Sequence, residues 1–160
     1  MVIRAATDND RDAIWAVMEP IVRAGETYTL AREMDKESAV GYWMGEEHEV
    51  FVAEDGGKIV GTYFLKANQK GGGGHVANCG YMTEVSATGR GVARAMCAHS
   101  LKRAKERGFR AMQFNFVVSS NARAVRLWES FGFAIVGRLP GAFLHPRLGY
   151  VDAYVMYRSL

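Results

Sequence analysis

Through residues 89–107, small and apolar positions recur at helical spacing. Ala93, Met96, Cys97, Ser100, Leu101 and Ala104 fall at i, i+3, i+4, i+7, i+8 and i+11. The stripe predicts a helix facing a core, with Arg90, Arg94, Lys102 and Lys105 on its other faces and Gly108 as its stop. Three further helices are predicted from the same period. One follows residue 6, with Thr7 or Asp8 as its cap, and carries Ile14, Trp15, Val17, Met18 and Ile21 toward a core. A short one covers 35–44, and another covers 121–131 with Ala124, Leu127, Trp128 and Phe131 on one side and Gly132 ending it. Strand-like runs occupy 2–6, 50–53, 59–65, 75–85, 111–118, 133–136 and 151–157, and Asp55-Gly56-Gly57 marks a hairpin between the second and third. Residues 25–34 and the four glycines 71–74 read as loops. Strands first, then strand–helix–strand–helix–strand, predict an α/β (α+β) domain, a mixed sheet with helices on its faces.

Composition narrows the classes. A chain of 160 residues has room for one domain with a sizeable core and is too short for two. With 49% apolar and 23% charged residues it is neither disordered nor fibrous. A net charge of +3, without aromatics aligned to the basic residues, argues against a nucleic-acid module. No apolar run approaches the roughly 20 residues of a membrane span, and residues 1–12 turn acidic at once without the apolar region of a signal peptide. A cytoplasmic protein that binds no membrane is the expectation. Cys79 and Cys97 lack metal-site spacing, and His75 and Cys79 lie roughly 13 Å apart along a strand, so no metal site is expected.

The segment richest in chemistry is Tyr81-Met82-Thr83-Glu84-Val85-Ser86-Ala87-Thr88-Gly89-Arg90-Gly91-Val92-Ala93. A strand runs into a glycine-bearing turn that opens a helix. Glycines let backbone N–H groups approach an anion, the helix N-terminus adds a favourable dipole, and Arg90 and Arg94 add charge. The segment reads as a pyrophosphate cradle or as an ordinary strand–helix turn with solvated arginines. A dinucleotide fingerprint would want Gly or Ala where Arg94 stands, and no Gly-Lys-Ser/Thr closes a Walker loop. Asn78 and Asn115 interrupt strand runs that otherwise favour burial, so each needs a structural or a ligand partner. Glu84 is either a base for an acceptor ammonium or a solvated strand-end carboxylate.

Thr88-Gly89-Arg90-Gly91-Val92-Ala93 resembles the acetyl-CoA motif Gln/Arg-x-x-Gly-x-Gly/Ala of the GCN5-related N-acetyltransferase (GNAT) superfamily, except at its first position. Downstream, Asn121-Ala122-Arg123-Ala124-Val125-Arg126-Leu127-Trp128-Glu129-Ser130-Phe131-Gly132-Phe133 is similar to the family's Asn-x-x-Ala…Leu-Tyr-x-x-x-Gly-Phe motif. The likeness spans residues 3–157. It implies the GNAT acyl-CoA N-acyltransferase fold, with a mixed, mostly antiparallel central sheet flanked by helices and middle strands that splay to admit acetyl-CoA. It further implies that the backbone of Thr88, Gly89, Arg90, Gly91, Val92 and Ala93 holds the CoA pyrophosphate. The main chain of Met82 and Thr83 would pair with the pantetheine arm and the acetyl carbonyl, and Asn121 would bind the pantetheine region or simply cap its helix. Two departures stand out. Thr88 replaces a long Arg or Gln, and Trp128 replaces a Tyr that protonates the leaving thiolate in many relatives. An indole N–H cannot do that, so Trp128 either shapes the acetyl-CoA slot or packs in the core.

Residues 75–81 and 113–121 resemble the GNAT enzymes that acetylate azetidine-2-carboxylate, in which the asparagines matching Asn78, Asn115 and Asn121 line the reaction centre. Asn78 would then grip the acceptor's carboxylate, and Asn115 would orient the acceptor or the acetyl group. The resemblance implies acetyl transfer from acetyl-CoA to a small amine, an amino or imino acid, with the acceptor pocket drawing on Tyr28 and Glu33 and on the loop around residues 145–150. It also implies a homodimer. The alternatives are an acetyltransferase acting on a protein N-terminus or lysine, and a CoA-binding module without turnover.

Overall fold

The computed structural model describes residues 1–160. In chain order the elements are β1 (Val2–Ala5), α1 (Arg11–Ala24), α2 (Lys36–Trp43), β2 (Glu49–Asp55), β3 (Lys58–Ala67), β4 (Val76–Thr83), α3 (Val92–Glu106), β5 (Ala111–Val118), α4 (Ala122–Ser130), β6 (Ala134–His145) and β7 (Gly149–Ser159). The seven strands form one sheet in the order β1-β2-β3-β4-β5-β7-β6, antiparallel at every junction except β4 with β5. The mixed, mostly antiparallel sheet with helices on both faces is the architecture the sequence implies.

Alternation along the strands gives each face its own core. Val50, Val52, Phe64 and Met82 pack against Ile14, Val17, Met18 and Trp43 of α1 and α2. On the other face Phe51, Tyr63, Cys79 and Phe114 pack against Met96, Leu101, Val125 and Trp128 of α3 and α4. Trp43 is fully buried, and its indole N–H donates to Thr62 Oγ1 (3.0 Å), whose hydroxyl donates to the Phe51 carbonyl (2.8 Å). Breaking that chain would leave a buried donor unpaired, at a cost of about 1–3 kcal/mol. Gly61 of β3 sets how closely α3 approaches, because a Cβ there would lie 2.8 Å from Val92 and 3.0 Å from Met96.

Several predicted boundaries shift. α3 starts at Val92 and not at 89, since Gly89 and Gly91 have φ of +85° and +82° and lie outside the helical region. Thr7 caps a single 3-10 turn (Asp8–Asp10) ahead of α1, with the Asp10 carboxylate accepting from the Thr7 N–H at 2.8 Å. In α4 the buried positions are Val125 and Trp128, while Ala124, Leu127 and Phe131 are partly buried. β6 and β7 are far longer than 133–136 and 151–157 suggest. Gly137, Pro140 and Gly141 look like breakers in the sequence. Register shifts at Ile135/Gly137 and Leu139/Phe143 absorb them, and β6 is an edge strand, where a missing N–H is tolerated.

Candidate active site

The sheet opens at its one parallel junction. β4 and β5 pair only at Val76↔Ala111 and Ala77↔Met112 and then diverge, while β4 keeps its full ladder with β3 through Thr83. Near the opening the Asn78 Nδ2 donates to the Gln113 carbonyl (2.9 Å), a side chain standing in for the next backbone rung. Farther along, the Tyr28 hydroxyl donates to the Tyr81 carbonyl (2.7 Å). A cavity of about 990 Å³ runs through this split, from the α3–α4 face of the sheet to the α1–α2 face.

The ladder decides which main-chain groups face the split. Glu84 N–H donates to Val60 and Asn68 N–H to Val76, so the even-numbered residues of β4 point at β3 and the odd-numbered ones point away. Met82 therefore gives its N–H and C=O to β3 and buries its side chain under α1. Met82 lines the cavity, but its main-chain groups are spent on the ladder, and the main chain of Tyr81 and Thr83 faces the opening.

One end of the cavity is built from backbone. The N–H groups of the first turn of α3 have no intrahelical partner, and no side chain caps them. Thr88, Gly89, Gly91, Val92 and Ala93 line this end. Arg90 is not part of this lining: its N–H donates to the Ala87 carbonyl (3.2 Å) and its guanidinium is held by Asp55 (2.9 Å), which corrects the cationic role read for its side chain. The cations that do line it are Arg94, Arg123 and Arg126, none of which has a carboxylate within ion-pair distance. A Cβ on Gly89 would lie 2.9 Å from Arg123 Nη2, so that guanidinium reaches over the loop. Sequence reading missed Arg123 and Arg126. A usable signal existed for Arg123: it is a cation at a helix N-terminus, where the dipole disfavours it, with no acidic residue three or four positions away.

In the middle, Asn121 occupies the cap position of α4 without a side-chain cap bond, which leaves its amide free toward the cavity. Trp128 both lines the slot and is buried, with ring centroids 4.9 Å from Tyr81 and 5.0 Å from Phe114. Cys79 also lines the cavity, and burial pushes its thiol well above the ordinary range, so it supplies no thiolate.

The other end is built from side chains brought in from distant segments. Asn78 presents Oδ1 there, its Nδ2 being tied to Gln113. Asn115 is exposed at the rim, donating to Asn68 Oδ1 (2.6 Å) and accepting from Gln113 Nε2 (2.9 Å). Asn68 was not foreseen. Tyr28 belongs to this end, and burial pushes its hydroxyl far above the ordinary range, which fixes it as a neutral donor. Its loop is pinned by Arg23 to the Met34 carbonyl (2.8 Å) and by Arg32 to the Arg23 carbonyl (2.9 Å).

Three expectations fail here. Glu84 lies outside the cavity lining, with Oε1 held 2.7 Å from Lys58 Nζ, and that bond keeps its carboxyl below the usual range, so its setting is that of the paired strand-end carboxylate. Glu33 is exposed and lines nothing, whereas Glu26 does line the cavity. Residues 145–150 form the tip of the β6–β7 hairpin, where His145 Nδ1 accepts from the N–H groups of Arg147 (3.1 Å) and Leu148 (3.2 Å), and no residue of the tip lines the cavity. The tip reaches the site only through Arg147, 3.2 Å from Glu26. No group of three or more His, Cys, Asp or Glu side chains is gathered as a metal site, and no helix is long and apolar enough to cross a membrane.

A sequence model described as "Acetyltransferase (GNAT) family" matches residues 15–133. The chain is similar to a GCN5-related N-acetyltransferase from Kribbella flavida, with 43% identity, a TM-score of 0.95, and coverage of 99% of this chain and 97% of that one. N-acetyltransferase aca1 of Schizosaccharomyces pombe is 33% identical over 98 residues, which are 61% of this chain and 47% of the relative. The match thus spans about half the length of that curated relative. A GNAT superfamily phosphinothricin acetyltransferase from Sinorhizobium meliloti, solved in complex with AcCoA, shares the fold at 19% identity and a TM-score of 0.86, covering 99% of this chain and 88% of that one.

Proposed function

The chain belongs to the acetyltransferase (GNAT) family, and from that premise we propose that it transfers acetyl from acetyl-CoA to the amine of a small molecule, an amino or imino acid, by direct attack in a ternary complex. The observation that carries the reading is the cavity through the split sheet, with unpaired backbone donors and arginines at one end and amide side chains at the other.

The donor's pyrophosphate would rest on the backbone of residues 88–93, with Arg94, Arg123 and Arg126 around it. Its pantetheine arm would run along the free edge of β4, against the main chain of Tyr81 and Thr83 and the amide of Asn121. The acceptor comes from the α1–α2 side, and Asn78 is its nearest amide partner. The amine nitrogen bonds to the thioester carbonyl carbon, the C–S bond breaks, and the amine's proton passes to water. Holding both reactants in line supplies most of the acceleration, and backbone N–H groups of the open edge stabilise the oxyanion. A thiol has a pKa near ~8.5, so the thiolate departs without help from Trp128. Asn115, bonded at the rim to Asn68 and Gln113, shapes the opening.

A small acceptor is favoured over a protein terminus or lysine because the pinned 25–34 loop lies across the acceptor end, with Tyr28 bonded into the split. The likeness to azetidine-2-carboxylate acetyltransferases supports an imino acid within that class. The homodimer implied by the same likeness would use the edge strand β6, where Val136 and Leu144 are exposed, Leu144 opposite Tyr150 of β7. Release of free thiol from acetyl-CoA in the presence of a panel of amino acids, proline analogues and short peptides tests the function. Turnover with free amino or imino acids is expected. Turnover with peptides alone, or none at all, would reject the reading.

A further inference from the structure

Resting on the acetyl-transfer reading above, we infer that Glu26 is the group that receives the protonated amine of the acceptor, and that Arg147 is the positioning residue that aims it. Of the 17 Asp and Glu residues, Glu26 alone lines the cavity. Carboxylates on adjoining elements are engaged elsewhere: Glu19 with Arg23 (3.7 Å) and Glu47 with Lys66 and Lys70 (3.9 and 3.6 Å).

Charge divides this cavity lengthwise. Arg94, Arg123 and Arg126 stand on the α3–α4 side, and Glu26 stands on the loop between α1 and α2. Aliphatic amines are cations at neutral pH, and a CoA thioester is a polyanion. The CoA thioester is drawn to the arginine end, and at the other end the acceptor's ammonium meets one carboxylate, Glu26, whose charge is shared with Arg147.

The pair with Arg147 orients the carboxylate. Arg147 Nη2 is 3.2 Å from Glu26 Oε1, and Oε2 has no protein partner. The side chains are 72% and 37% exposed, so the pair adds little to stability. Its worth lies in direction. The Arg147 N–H is anchored to His145 Nδ1, so the side chain springs from a fixed turn, and by holding Oε1 it leaves Oε2 of this cavity-lining residue for the ligand. The hairpin tip, which lines nothing itself, thereby acts on the site at one remove.

Steady-state kinetics of thiol release decide the matter, with the acceptor and acetyl-CoA varied in turn. Glu26→Gln is expected to raise the KM for the amine tenfold or more and to leave the KM for acetyl-CoA within twofold. Glu26→Asp restores part of that loss, and Arg147→Ala gives a smaller rise in the same constant with kcat unchanged. An amine KM within twofold of the parent in Glu26→Gln, or a parallel rise of both KM values, overturns the assignment while acetyl transfer stands. Failure of the unsubstituted protein to release thiol with any amine overturns both.

Discussion

The two ends of the cavity are made of different materials. At the α3 end the groups offered are backbone N–H donors of consecutive residues, held by two left-handed glycines and overhung by unpaired arginines. At the α1–α2 end they are side chains from residues 26, 28, 78 and 115, steadied by Asn68, Gln113 and Arg147. Backbone donors suit a ligand part that never changes, such as a diphosphate. Side chains suit a part that differs from enzyme to enzyme, because they are exchanged one at a time without disturbing the sheet. One end is therefore expected to be common to many relatives and the other to differ with the acceptor.

The division is open to attack from either end, and the largest effect is expected at the loop. Gly89→Val forces a β-branched residue to φ +85° and sets its Cβ against Arg123. Isothermal calorimetry is expected to show acetyl-CoA affinity falling a hundredfold or more while the circular dichroism of the fold persists; unchanged affinity would break the comparison. Next comes Arg123→Ala. Loss of one charge-assisted contact to phosphate, worth about 1.5–3 kcal/mol, predicts a rise of roughly 10- to 100-fold in the KM for acetyl-CoA, with a shallower salt dependence and the amine KM unmoved. Smallest is Asn78→Ala. A single neutral hydrogen bond is worth about 0.5–1.5 kcal/mol, so kcat/KM for the amine should fall roughly 3- to 10-fold while acetyl-CoA binding holds. A crossover, with the amide substitution weakening the coenzyme or the arginine substitution weakening the amine, would erase the division.

The same contrast governs what the sequence discloses. The loop from Thr88 to Ala93 is legible because its chemistry is local: one strand end, two glycines and a helix start, all within a dozen residues. Arg123 stands inside a recognisable motif, yet its importance shows only once its guanidinium is found above Gly89. Glu84 was attractive by position, three residues after Tyr81, and the fold turned it to Lys58. Met82 and Thr83 adjoin in sequence, yet strand alternation sends one to the ladder and the other to the opening. The acceptor end was the least readable. Glu26 and Arg147 are 121 positions apart by their numbering, and no pattern of spacing announces that they meet. The strands followed the same logic. Local alternation marked β2, β3 and β5 closely, whereas β6 reads as broken until its pairing with β7 shows how two bulges carry it past Pro140.

A sheet parted between its fourth and fifth strands carries an edge where most sheets have none, in the interior and with no other strand to pair with it. Tyr28 satisfies the Tyr81 carbonyl along it and Asn78 the Gln113 carbonyl, and past these two the strands stay unpaired. Whatever guest completes that seam binds the native state and has nothing to hold in the unfolded one, so its abundance is added directly to the melting equilibrium. A guest at a hundred times its dissociation constant contributes about 2.7 kcal/mol. For a fold of this kind, thermal resilience inside a cell becomes in part a measure of how well that cell is supplied with activated acyl groups.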